Sequence, residues 1–232
     1  MIVLSGSGLS AESGLPTFRG EGGLYDGVPA EALLSAEGYA RRPVAVEGWI
    51  ERLRAAAAAA QPNHAHVTLA DYQRRHPDTA LLTQNVDTLL ERAGASDVVH
   101  LHGRLDRLRC LGHAHPLPLP TGSRADAPER CPRCGSRLRS DVVLFGEAAP
   151  AYATLWTTLR RAGPTDALVV IGTQGGVLPI AEIVRDFPGR TVLNTLHASD
   201  WIDDAAFDRV FREPATRAVD GIVAALEAWR AA

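Results

Sequence analysis

Residues 166–171 read DALVVI and run straight into the glycine-rich loop GTQGG. An apolar run with no alternation toward a wet face belongs to a strand covered on both sides. Such strands occur in parallel sheets with helices packed on each face. A run of the same kind opens the chain, MIVL, and leads into SGSGLSAESG. Another, residues 79–82 (TALL), leads into the polar cluster Gln84, Asn85 and Asp87. Val98-Val99 precedes His102-Gly103, and residues 190–193 end at Asn194. Between these runs the composition is helical: residues 30–60 with a break near Arg42-Pro43, 65–75, a stretch after Pro179, a helix from Asp204, and an amphipathic tail to Trp229. Strands alternating with helices predict an α/β fold with a Rossmann-like, doubly wound parallel sheet. In open sheets of this kind chemistry gathers beyond the C-terminal strand ends, where the polar and glycine-rich loops above would lie.

The first of those loops carries Gly6-x-Gly8, with the next glycine at 14. A strand, close glycines and a helix start form a phosphate cradle, since glycines admit a pyrophosphate and the helix terminus supplies N–H donors. The spacing departs from G-x-G-x-x-G, so a plain tight turn is the other reading. Phe18 and Arg19 follow in a glycine-flanked loop and would fold over a bound ligand, or else pack on the surface. His102 titrates near neutrality and is the natural general base of the group. The carboxylate and amides of residues 84–87 would orient a sugar, an amide or a water. Trp49, Leu53 and Ala57 fall at helical spacing and read as core, and His66 as a core or cap residue without chemistry.

Residues 104–140 change character and hold every cysteine of the chain. Cys110-x2-His113 and Cys131-x2-Cys134, 17 residues apart, match the spacing of a zinc ribbon with one cysteine replaced by histidine. Four N/S ligands in two knuckles close the site, so one zinc ion there would be structural. His115 competes with His113 for the fourth position, and an empty, degenerate site is the remaining alternative.

A net charge of −3 spread over mixed signs points to neither nucleic acid nor an anionic membrane. Apolar runs stay well short of the ~18–20 residues a spanning helix needs. The N-terminus shows no basic leader and no cleavage site. The expectation is a cytoplasmic monomer. Every basic residue is arginine, so the chain offers no lysine of its own for modification.

Taken together, the motifs resemble the sirtuin family of NAD-dependent protein lysine deacylases, over residues 2 to about 223. SGSGLSAESGLPTFRG is similar to the family's first NAD loop, with Ser7 where alanine is usual. TQNVDTLLERAG and HLHG resemble the nicotinamide-pocket and catalytic-histidine motifs. VVLFGE resembles the peptide-clamping strand, and GTQGGVLP with Asn194 resembles the ribose and adenine loops. Five motifs in the right order are far more specific than any one of them.

The resemblance implies a single catalytic domain over 1–232, with a Rossmann-like core at about 1–20, 61–103 and 141–232. A helical and loop insertion would occupy about 21–60 and a zinc module about 104–140. It implies NAD contacts at Gly6, Ser7, Gly8, Ser10, Thr17, Phe18, Arg19, Gln84, Asn85, Val86, Asp87 and His102. The adenosine half would meet Gly172, Thr173, Gln174, Asn194, Thr195, Leu196 and Ala215. His102 and Asn85 would be catalytic. The acyl oxygen would attack the ribose as nicotinamide leaves, and His102 would then deprotonate a ribose hydroxyl. Products would be free lysine, nicotinamide and O-acyl-ADP-ribose. The acyl-lysine peptide would add as a strand against Val142, Val143, Leu144 and Phe145 on one side and Gly175, Gly176 and Val177 on the other. Zinc would fall to Cys110, His113, Cys131 and Cys134.

PTFRG, with Thr17 where many members carry aspartate, resembles the bacterial branch related to desuccinylases. That branch places a tyrosine and an arginine three residues apart in its acyl pocket, and alignment puts Ile50 and Leu53 there. An apolar pair cannot neutralise a carboxylate. Neutral acyl groups, acetyl or longer apolar chains, are therefore expected over succinyl. The rival readings are ADP-ribosyl transfer or NAD hydrolysis, a desuccinylase-type specificity, a dehydrogenase, and an NAD-sensing module without catalysis.

Overall fold

The structure is a computed structural model that describes residues 1–17, 33–119, 123–124 and 127–231. A six-stranded sheet runs in the order β3-β2-β1-β7-β8-β9. Its strands are β1 (Ile2–Ser5), β2 (Ala80–Thr83), β3 (Val99–His100), β7 (Ala167–Ile171), β8 (Arg190–Asn194) and β9 (Arg209–Phe211). Every pairing within it is parallel. Their C-terminal ends therefore share one edge, as expected.

Side chains alternate across this sheet with the period of two that extended backbone imposes. Val3, Leu81, Val169, Ile171 and Val192 enter a cluster closed by α4 (His64–Arg75) and α8 (Ala215–Arg230). Ile2, Leu4, Leu82, Leu168, Val170 and Leu193 enter the opposite one, closed by α6 (Tyr152–Arg160) and α7 (Ile180–Arg185). Leu168, Val169, Val170 and Ile171 are wholly buried, each stabilising the fold by about 1.5–3 kcal/mol relative to exposure. Burial on both faces accounts for the unbroken apolar run.

The helical insertion is α2 (Ala36–Arg41) and α3 (Pro43–Ala59). The break falls where expected: Arg42 leaves helical geometry because it precedes a proline, and Pro43 starts α3 at a position that needs no N–H. The apolar face of α3 joins Leu89, Leu105, Val142 and Leu144 in a third cluster.

The second sheet is antiparallel, in the order β5-β4-β6: β4 (Gly103–Cys110), β5 (Pro116–Pro118) and β6 (Leu138–Val142). Gly103 pairs with Val142 and Arg104 with Asp141. Residues 141–142 thus pair within the cysteine-bearing module, although the sequence reading assigned them to the parallel core. Two further expectations change. The helix after the first glycine loop, α1 (Gly8–Ala11), is a single turn. The helix expected from Asp204 is a 3-10 turn, Asp204–Ala206, followed by edge strand β9. A one-turn helix, α5 (Leu89–Arg92), follows β2 and lends Leu89 to the third cluster. Among the described residues no helix is long and apolar enough to cross a membrane.

Candidate active site

Two glycine loops meet at the centre of the strand-end edge. Gly6 N–H donates to Ile171 O (2.9 Å) and Gly8 N–H to Gly172 O (2.8 Å). A Cβ on Gly6 would lie 2.8 Å from Gly172 O, and one on Gly8 would lie 2.8 Å from Gly172 Cα. Gly172 has φ +68°, and its own Cβ would fall 2.4 Å from Leu9 N. The glycines are thus required by loop-on-loop contact as well as by any ligand.

Beneath the first loop lies a buried polar network. Ser10 Oγ donates to Asp87 Oδ2 (3.0 Å) and accepts from Asn85 Nδ2 (3.1 Å). Asn85 Nδ2 also reaches Gly6 O (3.1 Å), and its backbone N–H donates to Thr83 Oγ1 (3.0 Å). His66 Nε2 lies 3.3 Å from Ser10 Oγ, while His66 Nδ1 accepts the backbone N–H of Asn63. With Nδ1 an acceptor, the neutral ring carries its proton on Nε2 and donates to Ser10. Burial depresses His66 to about 4, so the ring stays neutral. Burial raises the Asp87 carboxyl, against N–H and O–H bonds from Leu89 and Ser10. Sequence reasoning gave His66 no chemistry. Its signal was the spacing Asn63-x-x-His66: Asn63 caps α4 and His66 bonds back to the cap, the geometry of a capping box.

His102 stands two residues past β3. Its Nδ1 lies 3.0 Å from Gln84 O, and its Nε2 lies 2.8 Å from the hydroxyl of Tyr152. Burial pushes the imidazole below its ordinary value, and the Gln84 carbonyl acts in the opposite sense. Gln84 Nε2 reaches Thr173 Oγ1 (3.2 Å), joining the loops that follow β2 and β7. Tyr152 is a site residue that the sequence did not flag. The neighbouring His100 faces Asn85 O and Glu91 Oε1 and anchors the loop from beneath.

The other expected positions divide. Ser7 precedes α1 as its cap residue, and Val86 packs against the third cluster. Thr17 is the last described residue of its loop; Phe18 and Arg19 lie outside the described residues. Asn194 is buried, and its amide donates to Phe211 O and Glu213 O, so it ties β8 to the segment before α8. Thr195 is buried beside it, Leu196 is exposed, and Ala215 begins α8. Ser199 Oγ donates to Gln174 O.

Along the expected peptide groove, three backbone donors are already engaged: Val143 N–H by His102 O, Leu144 N–H by Glu147 Oε2, and Phe145 N–H by Leu34 O. Opposite them, Gly175 is buried, Gly176 half-buried and Val177 exposed. Ile50 and Leu53 are buried together with Val142 and Leu144. Arg54 is 4% exposed; it donates to Leu105 O (2.6 Å) and Ser140 Oγ (2.7 Å) and pairs with Glu51.

In the small sheet the sulfurs of Cys110, Cys131 and Cys134 lie within 4.8 Å of one another. Tetrahedral thiolates on zinc stand roughly 3.8 Å apart, given bonds of about 2.3 Å, so the cluster fits that ion. The Ser136 hydroxyl and N–H hold the Cys134 thiol down to about 6, toward the thiolate a metal needs. The adjoining imidazole is that of His115, whose Nε2 lies 3.3 Å from Cys131 Sγ. His113, the other candidate for the fourth position, is exposed, and its ring lies 6.3 Å from that of His115. His113 directs its backbone N–H to the Cys110 sulfur, and left-handed Ala114 (φ 53°) turns the chain so that His115 faces inward.

The sequence model of the Sir2 family matches residues 6–179. The chain is 38% identical over 229 residues to an NAD-dependent protein deacylase of Campylobacter jejuni, covering 98% of this chain and 95% of that one. A mutant Sir2 homologue in complex with ADP-ribose superposes with a TM-score of 0.86 at 32% identity, covering 98% of this chain and 91% of that chain. A Sir2 homologue in complex with NAD gives 0.84 at 33% identity, covering 98% and 89%.

Proposed function

The chain belongs to the Sir2 family, and from that premise we propose the chemistry its strand-end edge performs. It is an NAD-dependent protein-lysine deacylase with a structural zinc module. The observation that carries the assignment of roles is the posture of His102. A carbonyl at Nδ1 fixes the proton there, which leaves Nε2 as the basic atom facing the strand-end edge. Burial shifts that ring toward its neutral form, the form a general base requires.

NAD, when bound, would supply a ribose carbon activated by its cationic nicotinamide leaving group, to which the acyl oxygen could join. Gly6, Ser7 and Gly8 would cradle the pyrophosphate, with Ser10 bracing the loop from behind and Thr17 beside the adjoining ribose. Gln84, Asn85, Val86 and Asp87 surround the nicotinamide. Ser10 is held by Asp87 and His66, and Asn85 by Ser10 and the Gly6 carbonyl. Gly172, Thr173, Gln174, Thr195, Leu196 and Ala215 border the adenosine, while Asn194 shapes that pocket through the loop it ties. His102 takes the proton of a ribose hydroxyl, freeing that oxygen to attack the acyl carbon. Free lysine, nicotinamide and O-acyl-ADP-ribose leave.

The substrate is an acyl-lysine peptide lying as a strand between residues 142–145 and 175–177. With the N–H groups of Val143, Leu144 and Phe145 engaged, the first side offers carbonyl oxygens, so peptide N–H groups supply the hydrogen bonds. Ile50 and Leu53 form the apolar base of the acyl pocket, and the charge of Arg54 is committed elsewhere. Acetyl and longer apolar acyl groups are therefore preferred over succinyl. Cys110, Cys131, Cys134 and His115 hold the zinc.

Mass spectrometry of acetyl-, longer-acyl- and succinyl-lysine peptides with NAD, beside His102→Ala, tests these roles. The expected result is NAD-dependent loss of neutral acyl groups that the substitution abolishes. Succinyl removal alone would overturn the pocket. ADP-ribosylated peptide without deacylation would replace the reaction by ADP-ribosyl transfer.

A further inference from the structure

Resting on the deacylase reading, we propose that Tyr152 is a proton-relay residue of the site, its hydroxyl passing the proton of the substrate hydroxyl to Nε2 of His102. Nδ1 of His102 faces the Gln84 carbonyl at 3.0 Å, and a carbonyl only accepts. The ring proton therefore sits on Nδ1, and Nε2 of the neutral ring is a bare lone pair. The Tyr152 hydroxyl, 2.8 Å from Nε2, must be the donor there. The one basic lone pair of the general base is thus already capped by a hydroxyl.

That hydroxyl oxygen keeps lone pairs of its own and can accept from a substrate O–H while donating to Nε2. In the transfer, the substrate O–H bond breaks and its proton bonds to the Tyr152 oxygen. The former Tyr152 O–H bond breaks together with it, and that proton takes the Nε2 lone pair. The substrate oxygen keeps the electron pair of its broken bond for attack on the acyl carbon. Tyrosine ends neutral and His102 ends as imidazolium, hydrogen-bonded to Gln84 O and Tyr152 Oη.

Two features suit Tyr152 to this work. It opens α6, and its ring packs against the cluster of Leu155, Leu168 and Ile180, so its position is fixed by the fold. Its ring centroid lies 5.8 Å from that of His102. Burial also raises the phenol above its ordinary value, which disfavours a free tyrosinate.

The test uses Tyr152→Phe, which keeps the ring and removes only the hydroxyl. In the protein without NAD, nitrogen-15 NMR of the His102 ring should show Nδ1 proton-bearing in both forms. The Nε2 resonance should move to that of a free acceptor nitrogen in the variant. With NAD and acetyl-lysine peptide, the reaction divides into two halves. Exchange of labelled nicotinamide requires no ribose hydroxyl proton to leave, whereas acyl transfer does. Tyr152→Phe should keep exchange within about threefold while net deacylation falls by about 10²-fold. Adding it to His102→Ala should cost nothing more. An unmoved Nε2 resonance would remove the hydrogen bond and the relay with it. A parallel loss of both halves would make Tyr152 a packing residue, and unchanged or faster deacylation would make it a displaceable cap. Either outcome overturns the relay. A wild-type protein that performs neither half would instead refute the deacylase reading itself.

Discussion

Gly172→Ala should be among the most damaging single-methyl additions in this protein, and two other glycines let its cost be divided. At Gly14, φ is +85° and nothing lies within 4 Å of an added Cβ, so Gly14→Ala carries only left-handed backbone strain. That strain is about 1–2 kcal/mol, reduced by about 0.4–1 kcal/mol because alanine also restricts the unfolded chain. Gly8 carries no left-handed strain, but its Cβ would sit 2.8 Å from Gly172 Cα, so Gly8→Ala isolates the steric cost. Overpacking of this sort costs about 1–3 kcal/mol. Gly172 combines the two, with φ +68° and a Cβ 2.4 Å from Leu9 N, a backbone atom that cannot rotate away. With the same unfolded-state reduction, the sum is about 1–4.6 kcal/mol, a large share of the roughly 5–15 kcal/mol that holds a typical domain. For a chain of this length it lowers Tm by about 10 °C. Urea denaturation of the three variants should rank them Gly14→Ala, Gly8→Ala, Gly172→Ala in rising cost. Calorimetric titration with NAD should find affinity kept in the first and weakened at least tenfold, about 1.4 kcal/mol, in the other two. If Gly172→Ala costs no more than Gly14→Ala, the interlocking of the two loops is refuted.

Three further outcomes follow from the site and its supports. His66 is held at about 4 when folded against an ordinary value of 6.5, so stability is lost as pH falls through that window. The loss is on the order of 3 kcal/mol, fully expressed only below pH 4. Urea midpoints from pH 8 to 4 should show that slope in the wild type and a shallower one in His66→Gln; equal slopes would sink the assignment. Purified protein should hold one zinc per chain, lost with His115→Ala and kept with His113→Ala, by metal analysis; the reverse pattern would restore His113 as ligand. Ile50→Tyr combined with Leu53→Arg should raise the succinyl-to-acetyl rate ratio by more than tenfold, since it gives a buried carboxylate its partners. An unchanged ratio would move the acyl pocket away from α3.

The parallel sheet could be read from the chain because its strands are buried on both faces, and DALVVI has no other comfortable place. β4 could not, for a physical reason: its register against β6 shifts between Arg104 and Leu108. Leu105 and Leu108 are buried three residues apart, which breaks the alternation that marks a strand. β9 is three residues at the sheet edge, too short for any period to declare itself. The Ser10–His66 and His102–Tyr152 contacts were not legible for another reason. Ser10 and His66 are 56 residues apart, and His102 and Tyr152 are 50 apart. No local pattern records that such pairs meet. The choice between His113 and His115 rests on one left-handed residue, Ala114, which cysteine spacing does not encode.

The first loop shows how a correct motif can carry an incomplete cause. Gly6-x-Gly8 reads as room for a pyrophosphate, and the spacing to the next glycine looks defective by that standard. The contacts at Gly172 supply a second requirement, because a side chain at residue 6 or 8 would collide with protein before any ligand arrived. Gly14, where a Rossmann reading would place the deviation, faces open space and answers only to its own backbone angle. The departure from G-x-G-x-x-G is therefore no weakening of the site. α1 is one turn long, so little helix dipole is available to hold an anion, and the burden passes to loop N–H groups. Ser10 cannot hold the anion itself, because its one O–H is spent on Asp87 and its oxygen accepts from Asn85 and His66; it braces the loop that presents those N–H groups. Ser10→Ala should accordingly weaken NAD binding while Gly14→Ala does not. Equal affinities in the two variants would remove the Ser10 network from any part in shaping the cradle.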